Sequence, residues 1–138
     1  MKTRIWFARV LIAPVVFFNL QCSLAFLLRP ARYAPSFDLI ELPGIYMIQG
    51  LGLLFLMWNI PYLVALLNPQ KHIISLMESL IMQAIGVTGE TILLATVSPG
   101  YVMLHASVAR FIVFDAGGLV LLFIALLISR VKACPTRP

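Results

Sequence analysis

Charged residues are scarce in this chain: 11% of its 138 residues carry a charge, against roughly 25% in an ordinary soluble domain. Hydrophobic residues make up 62%, where soluble domains hold about 45–50%. A water-soluble fold of this size could not bury that much apolar surface, because small domains bury the smaller share of their chain. The excess must face lipid. Since no polar linker divides the chain, we expect one transmembrane domain covering residues 1–138.

The sequence also lacks the motifs of several enzyme and cofactor classes. G-x-S-x-G, Walker, H-E-x-x-H and dinucleotide-binding signatures do not occur. The two histidines, His72 and His105, lie at opposite ends of the apolar runs, which argues against a haem held by paired histidines. The two cysteines, Cys22 and Cys134, form no C-x-x-C pair and should lie far apart. We therefore expect no metal, no cofactor and no disulfide.

Four long apolar runs are present, at about residues 5–28, 44–67, 73–97 and 102–129. Each has the ~20 residues that a hydrocarbon core of ~30 Å requires. They lack the alternation of barrel strands, and a lipid-exposed backbone must satisfy its own hydrogen bonds. The sequence therefore predicts an all-α integral membrane four-helix bundle. Residues 31–42, between the first two runs, mix aromatic with charged side chains and are expected to lie in the membrane interface.

The distribution of basic residues predicts the orientation of the chain. With four spans, both termini and the second loop share one side, and Arg29 and Arg32 lie on the other. The first side holds seven basic residues: Lys2, Arg4, Arg9, Lys71, Arg130, Lys132 and Arg137. Because cytoplasmic segments carry the excess of Lys and Arg, both termini are predicted to be cytoplasmic. We expect a multi-pass protein of the cell membrane, in bacteria the inner membrane, with lipids as partners.

The same distribution bears on nucleic-acid binding, which the net charge of +5 could suggest. Nucleic-acid-binding proteins gather Lys and Arg into a patch or stripe. Here the basic residues lie mostly at the ends of the apolar runs, where they contact lipid headgroups. We therefore expect no nucleic-acid partner.

Five ionisable residues fall inside the apolar runs: Arg9, Glu78, Glu90, Arg110 and Asp115. Each would cost about 2.5–3.5 kcal/mol at mid-depth facing lipid, so we expect them to turn inward and find partners. Glu90 and Arg110 both lie ~11–12 Å below the same membrane face, which predicts an ion pair between them. Arg9 and Glu78 lie ~7–8 Å below the other face and would form a second pair if the first and third spans touch.

Asp115 is then left without a cation. It is either a proton-responsive carboxyl or a neutral acid that is hydrogen-bonded across the bundle and fixes helix packing. Asn19 and Gln83 are expected at a similar level, and the packing role is the one we favour. A pocket is predicted at Asn59 and Pro61, with Asn19 and Gln83 as its further polar residues, because a proline kink beside a polar residue can line a cavity.

Three blocks have the look of family signatures: residues 55–62, 82–90 and 110–115. Together with the length, the four spans and the longer first external loop, they give the chain a plan that resembles the DoxX-like small membrane proteins of bacteria. The resemblance implies the four-span layout. It carries over no catalytic residue and no demonstrated activity.

Three functions are consistent with these features. The first, which we favour, is an accessory or structural subunit that packs against other membrane proteins or against copies of itself. The second is a proton-coupled or small-solute transporter that acts as an oligomer and uses Glu90, Arg110 and Asp115. The third is a membrane enzyme that acts on a lipid or quinone near Asn59 and Pro61. The favoured function is not enzymatic.

Overall fold

The computed structural model describes residues 2–130, and these are helical throughout except for short turns. Lys132, Cys134 and Arg137 lie outside the described residues. The elements are α1 (Lys2–Leu28), α2 (Pro30–Tyr33), a 3₁₀ turn (Ala34–Phe37), α3 (Leu42–Leu67), α4 (Ile73–Thr96) and α5 (Val102–Arg130). Four of these helices, α1, α3, α4 and α5, are long and apolar enough to cross a membrane. The prediction of an all-α protein with four spans is confirmed, with boundaries that differ by at most three residues.

The four long helices form a bundle with two ends. The terminal end is where α1 begins and α5 finishes, and the loop end is where residues 29–41 lie. Helix α1 packs against α3 and α5, and α4 packs against the same two helices. The backbones of α1 and α4 do not come close to each other, and neither do those of α3 and α5, so each of these pairs is diagonal in the bundle and meets only through side chains in the interior.

Helix boundaries follow from local chemistry. Pro30 and Pro43 stand in the first turns of α2 and α3, where the backbone N–H that proline lacks would have no helical acceptor. The turn between α3 and α4 is closed by Asn68, whose side-chain oxygen accepts the backbone N–H of Lys71 at 3.1 Å. Pro14 and Pro61 lie within continuous helices, each removing one backbone hydrogen bond from the helix ladder.

Two apolar clusters fill the interior. Towards the terminal end, Ile12, Leu76 and Leu122 are fully buried and bring α1, α4 and α5 together. Towards the loop end, the cluster is aromatic and centres on Phe26. Its ring lies 5.3–6.3 Å, centroid to centroid, from those of four others: Tyr33, Phe37, Phe55 and Phe111. The edge-to-face geometry of several of these contacts suits the quadrupole of aromatic rings.

Residues 34–38 are docked onto the start of α5. Asp38 has a left-handed backbone conformation with φ 56°, and its carboxylate accepts the backbone N–H of Leu104 at 3.0 Å. This N–H belongs to the first turn of α5, where no helical acceptor exists. The Ser107 hydroxyl donates to the carbonyl of Ser36 and accepts from Arg110. The first loop is therefore part of the bundle and caps its last helix.

Replacing Asp38 by alanine is expected to lower the free energy of unfolding by about 1 kcal/mol, because the N-terminal turn of α5 loses its cap. Asp38→Asn should keep most of this stability, since its amide oxygen can accept the same hydrogen bond and asparagine tolerates the left-handed conformation. Thermal unfolding in detergent and hydrogen exchange of the Leu104 amide measure the effect. Glu41→Ala is the control, because Glu41 is exposed nearby. Equal loss from Asp38→Asn and Asp38→Ala would contradict the capping role.

Candidate functional site

Three polar side chains from three helices are joined by hydrogen bonds in the interior of the bundle. The Tyr62 hydroxyl of α3 donates to Gln83 Oε1 of α4 at 2.8 Å. Gln83 Nε2 in turn donates to Asp115 Oδ1 of α5, also at 2.8 Å. Tyr62 and Gln83 are buried and Asp115 is half-buried. We call these three residues the polar cluster. It confirms the expected proximity of Gln83 to Asp115.

Two glycines make room for the polar cluster between α4 and α5. A methyl group on Gly86 would collide with Asp115 Oδ2, and one on Gly118 would lie 2.7 Å from Gln83 Nε2. Both carboxylate and amide therefore occupy space that any larger residue would fill. Small residues at such positions let membrane helices approach closely. The glycines and the polar cluster thus hold α4 and α5 in one register.

The amide at the centre of the cluster defines what the arrangement can do. A side-chain amide offers an oxygen that accepts and a nitrogen that donates, and Gln83 uses one of each. Neither group of the amide gives up or takes up a proton readily. The arrangement therefore positions Asp115 and Tyr62 rather than passing protons between them. Within residues 2–130 no group of three or more His, Cys, Asp or Glu side chains could hold a metal ion.

The predicted ion pair between Glu90 and Arg110 is wrong. Arg110 is exposed and donates to the carbonyl of Ala106 and the hydroxyl of Ser107, both on its own helix. Glu90 is half-buried, and its Oε2 atom is enclosed without a hydrogen-bond partner. Side chains lean towards the N-terminus of their helix, and α4 and α5 run in opposite directions. Glu90 therefore leans towards the terminal end, and Arg110 leans towards the loop end, where it finds its acceptors on its own helix.

The predicted pair of Arg9 and Glu78 is wrong as well. The first and third spans are α1 and α4, which lie on a diagonal of the bundle, where their backbones do not approach each other. Arg9 is exposed and donates through Nε to the carbonyl of Leu66 at 2.8 Å, at the end of α3. This carbonyl belongs to the last turn of the helix, where no N–H of α3 is available to it. Glu78 is exposed on α4.

The pocket predicted at Asn59 and Pro61 is closed around Asn59, which is 1% exposed. Its Nδ2 donates to the carbonyl of Phe55 at 2.7 Å, not to that of Met57, which Pro61 deprives of its helical donor. Asn59 Oδ1 is buried with no partner among residues 2–130. The side chain of Asn19, half-buried on α1, likewise makes no hydrogen bond to a described residue. Asn19 lies near the level of Asp115, because the adjacent rings of Phe18 and Phe114 are in contact.

Helix α4 is the least covered of the four spans. In its most apolar 18-residue stretch 11% of the residues are buried, against 22–28% in the other three. One exposed line of side chains runs along its outer surface with alternating spacings of four and three residues. We call it the α4 stripe; it consists of Ile74, Glu78, Ile81, Ile85, Thr88 and Ile92. This spacing is the heptad pattern of helices that pack side by side.

A shallow groove lies beside the α4 stripe, between α4 and α5. Its volume is about 440 Å³, and its walls are entirely apolar. The groove is open along one side. It is lined by Leu80, Ile81, Ala84, Leu119, Val120 and Phe123. It is thus suited to apolar side chains or acyl chains and offers no group for chemistry.

Two of these features were not predicted from the sequence. Tyr62 is not among the candidate residues named from the sequence, yet it is 4% exposed and belongs to the polar cluster. Its place on the same face of α3 as Ile48 and Asn59 is the signal that could have found it. The cap that Asp38 places on α5 has no local signal, because 66 residues separate the two partners.

Comparison with models of known protein families, with curated proteins and with solved structures finds no match to this chain. The resemblance to DoxX-like proteins stays a prediction. The fold brings two of the candidate residues together, Gln83 and Asp115, beside Gly86. It leaves Arg9, Glu78 and Arg110 on the surface. The chain is therefore described by its structure: a bundle of four long apolar helices with an internal polar cluster, in which α4 is the least covered helix.

Proposed function

We propose that the protein is an accessory subunit of a larger membrane assembly and that it binds another membrane protein through the α4 stripe. The observation that carries the proposal is the low coverage of α4, along which the stripe stays exposed from Ile74 to Ile92. The terminal end is proposed to face the cytoplasm of a bacterial cell, since seven basic residues belong to it against Arg29 and Arg32 at the loop end.

The composition of the stripe supports packing against a helix rather than exposure to lipid alone. Four of the five isoleucines of α4 lie on it, each between 55% and 70% exposed. Isoleucine is stiff at its first side-chain torsion, so it loses little conformational freedom when a neighbour packs against it. Thr88 is exposed, and a methyl group added to the adjacent Gly89 would have no atom within 4 Å. These two small residues allow a second backbone to come close.

The polar cluster weighs against the transporter alternative. Asp115 is held by Gln83 against Gly86, which favours a role in fixing helix packing over the release and uptake of protons. The enclosed side chain of Asn59 likewise weighs against a membrane enzyme that would bind a lipid or quinone there. Both alternatives need a polar or ionisable group that a ligand can reach. The α4 stripe instead offers a surface against which another helix can pack.

Site-specific photocrosslinking in native membranes tests the proposal. A photoreactive phenylalanine analogue at Ile85 is expected to form a discrete adduct with a second membrane protein. The matched control carries the analogue at Met57 of α3, which is 60% exposed where Ile85 is 65% exposed, and at a comparable depth. Met57 should give lipid adducts only, because the proposed interface lies on α4 and α3 is covered to a greater extent by the rest of the bundle. Adducts of equal yield from both positions, or none from Ile85, would argue against a subunit role for this face.

A further inference from the structure

We infer that the partner of the α4 stripe is a transmembrane helix of a different chain, with a Lys or Arg at the level of Glu78. This inference rests on the proposed function and adds the chemistry of the partner to it. Three observations lead to it: the unpaired carboxylate on the stripe, the symmetry of a self-complex and the apolar groove one turn away.

Glu78 is the one acidic member of the α4 stripe. It is exposed and forms no ion pair with any residue of the described range 2–130. The neighbouring Arg130 donates through Nη2 to the sulfur of Met77 at 3.1 Å instead of to this carboxylate. Glu78 lies ~7–8 Å along α4 from its start, near the edge of the hydrocarbon. A carboxylate that is covered by a packed helix at this depth needs a cation or donors within reach.

A second copy of the chain is a poor occupant of the stripe. Two copies in one membrane have the same orientation, so a two-fold complex through α4 would place Glu78 at the same depth on both sides of the interface. Like charges that meet across an interface are destabilising. A basic side chain at that position on another protein meets the carboxylate with the opposite sign, as charged pairs in heptad interfaces do.

The groove beside the stripe adds a second requirement. Ile81 belongs to both surfaces, and it follows Glu78 by three residues on the same face. A helix that places a cation at Glu78 can therefore seat a bulky apolar side chain in the groove about one turn further towards the loop end. A cation at one turn and a bulky apolar side chain at the next are what such a partner helix would present to the stripe and the groove.

The test uses purified full-length protein in phosphatidylcholine vesicles and two synthetic transmembrane peptides. Both peptides have a Leu/Ile heptad, and they differ only in a Lys or a Gln at the level of Glu78. Energy transfer between labelled protein and labelled peptide measures association. We expect the Lys peptide to bind about fivefold more tightly than the Gln peptide, a ratio typical of a partly exposed ion pair. Glu78→Gln should reduce the ratio to about one, since it keeps the shape and removes the charge.

Two controls separate this inference from the proposed function. Ile85→Trp should weaken both peptides equally, whereas Glu41→Gln, an exposed acid at the loop end, should change neither. If both peptides bind wild-type protein equally and Ile85→Trp weakens them, the stripe binds a helix but the partner needs no cation, and the inference alone fails. If neither binds and Ile85 gives no crosslink in native membranes, the proposed function fails with it.

A third measurement addresses self-association. A single cysteine at Ile85→Cys, in a background without Cys22 and Cys134, reports whether two stripes meet by forming a disulfide in native membranes. We expect no homodimer from the wild-type stripe and more homodimer when Glu78→Gln is added, because the charge repulsion is then lost. A strong homodimer in the presence of Glu78 would overturn the inference that the partner is a different chain.

Discussion

Replacing Gly52 by alanine is expected to lower the free energy of unfolding by about 2–3 kcal/mol, as overpacking a tight interior does. An added methyl group would lie 2.6 Å from the backbone nitrogen of Leu27 and 2.9 Å from the carbonyl oxygen of Ser23, both on α1. These are backbone atoms of a helix, which cannot turn aside as the end of a side chain can. The whole of α1 must move away from α3, and contacts along the interface weaken together.

Gly50→Ala is the matched control for this prediction. Gly50 lies two residues away on α3 and is exposed, with no atom within 4 Å of an added methyl group. The two variants share the change in helix propensity, so their difference isolates the steric effect. Thermal or denaturant unfolding in mild detergent gives the free energies. If both variants were equally stable, the close approach of α1 to α3 at Gly52 would be contradicted.

Gln83→Leu is expected to lower the free energy of unfolding by about 2–3 kcal/mol. Leucine has nearly the same volume as glutamine, but it leaves Tyr62 without its acceptor and Asp115 without its donor. A buried polar group that loses its partner costs about 1–3 kcal/mol. Asp115→Asn should cost less than about 1 kcal/mol, because its amide oxygen still accepts from Gln83. Unfolding in mild detergent compares the two variants.

Gln21→Leu serves as the control for the loss of an amide within a span, since Gln21 is exposed on α1. It should leave stability unchanged or raise it, because a polar group leaves the lipid-facing surface. The contrast between Asp115→Asn and Gln83→Leu separates two roles of the carboxyl. If Asp115→Asn destabilised the protein as strongly as Gln83→Leu, the acid itself would matter, and the transporter hypothesis would gain over the packing role.

The layout of the fold was predictable because it depends on composition and length. Hydrocarbon demands about 20 apolar residues per helix, and the breakers Pro30, Pro43 and Asn68 mark the connections. The arrangement of the helices in the bundle was not predictable in the same way. That α1 and α4 are diagonal depends on packing among four helices, and no local pattern encodes it.

The candidate site was predictable only where the depth of a residue along its helix was enough to identify its partner. Gln83 and Asp115 were placed at a similar level and do form a hydrogen bond. Glu90 and Arg110 were also placed at one level, yet depth gives neither the face of the helix nor the direction in which the side chain leans. The long, flexible side chain of Arg110 can then turn outwards to the surface of the bundle. Partners that are far apart in sequence, such as Ser36 and Ser107, leave no trace in a local pattern.

The docking of residues 34–38 onto α5 has a consequence for the biogenesis of the protein. A ribosome completes Asp38 66 residues before Leu104, so the segment leaves the insertion machinery long before its helix exists. During that interval Phe37 has no Phe111 to cover it. The docking of the first loop is therefore complete only once α5 has been made and has packed into the bundle. A nascent protein that is cut short within α4 would leave Phe37 without its contact to Phe111, and exposed apolar surface of this kind makes incompletely folded proteins prone to aggregate.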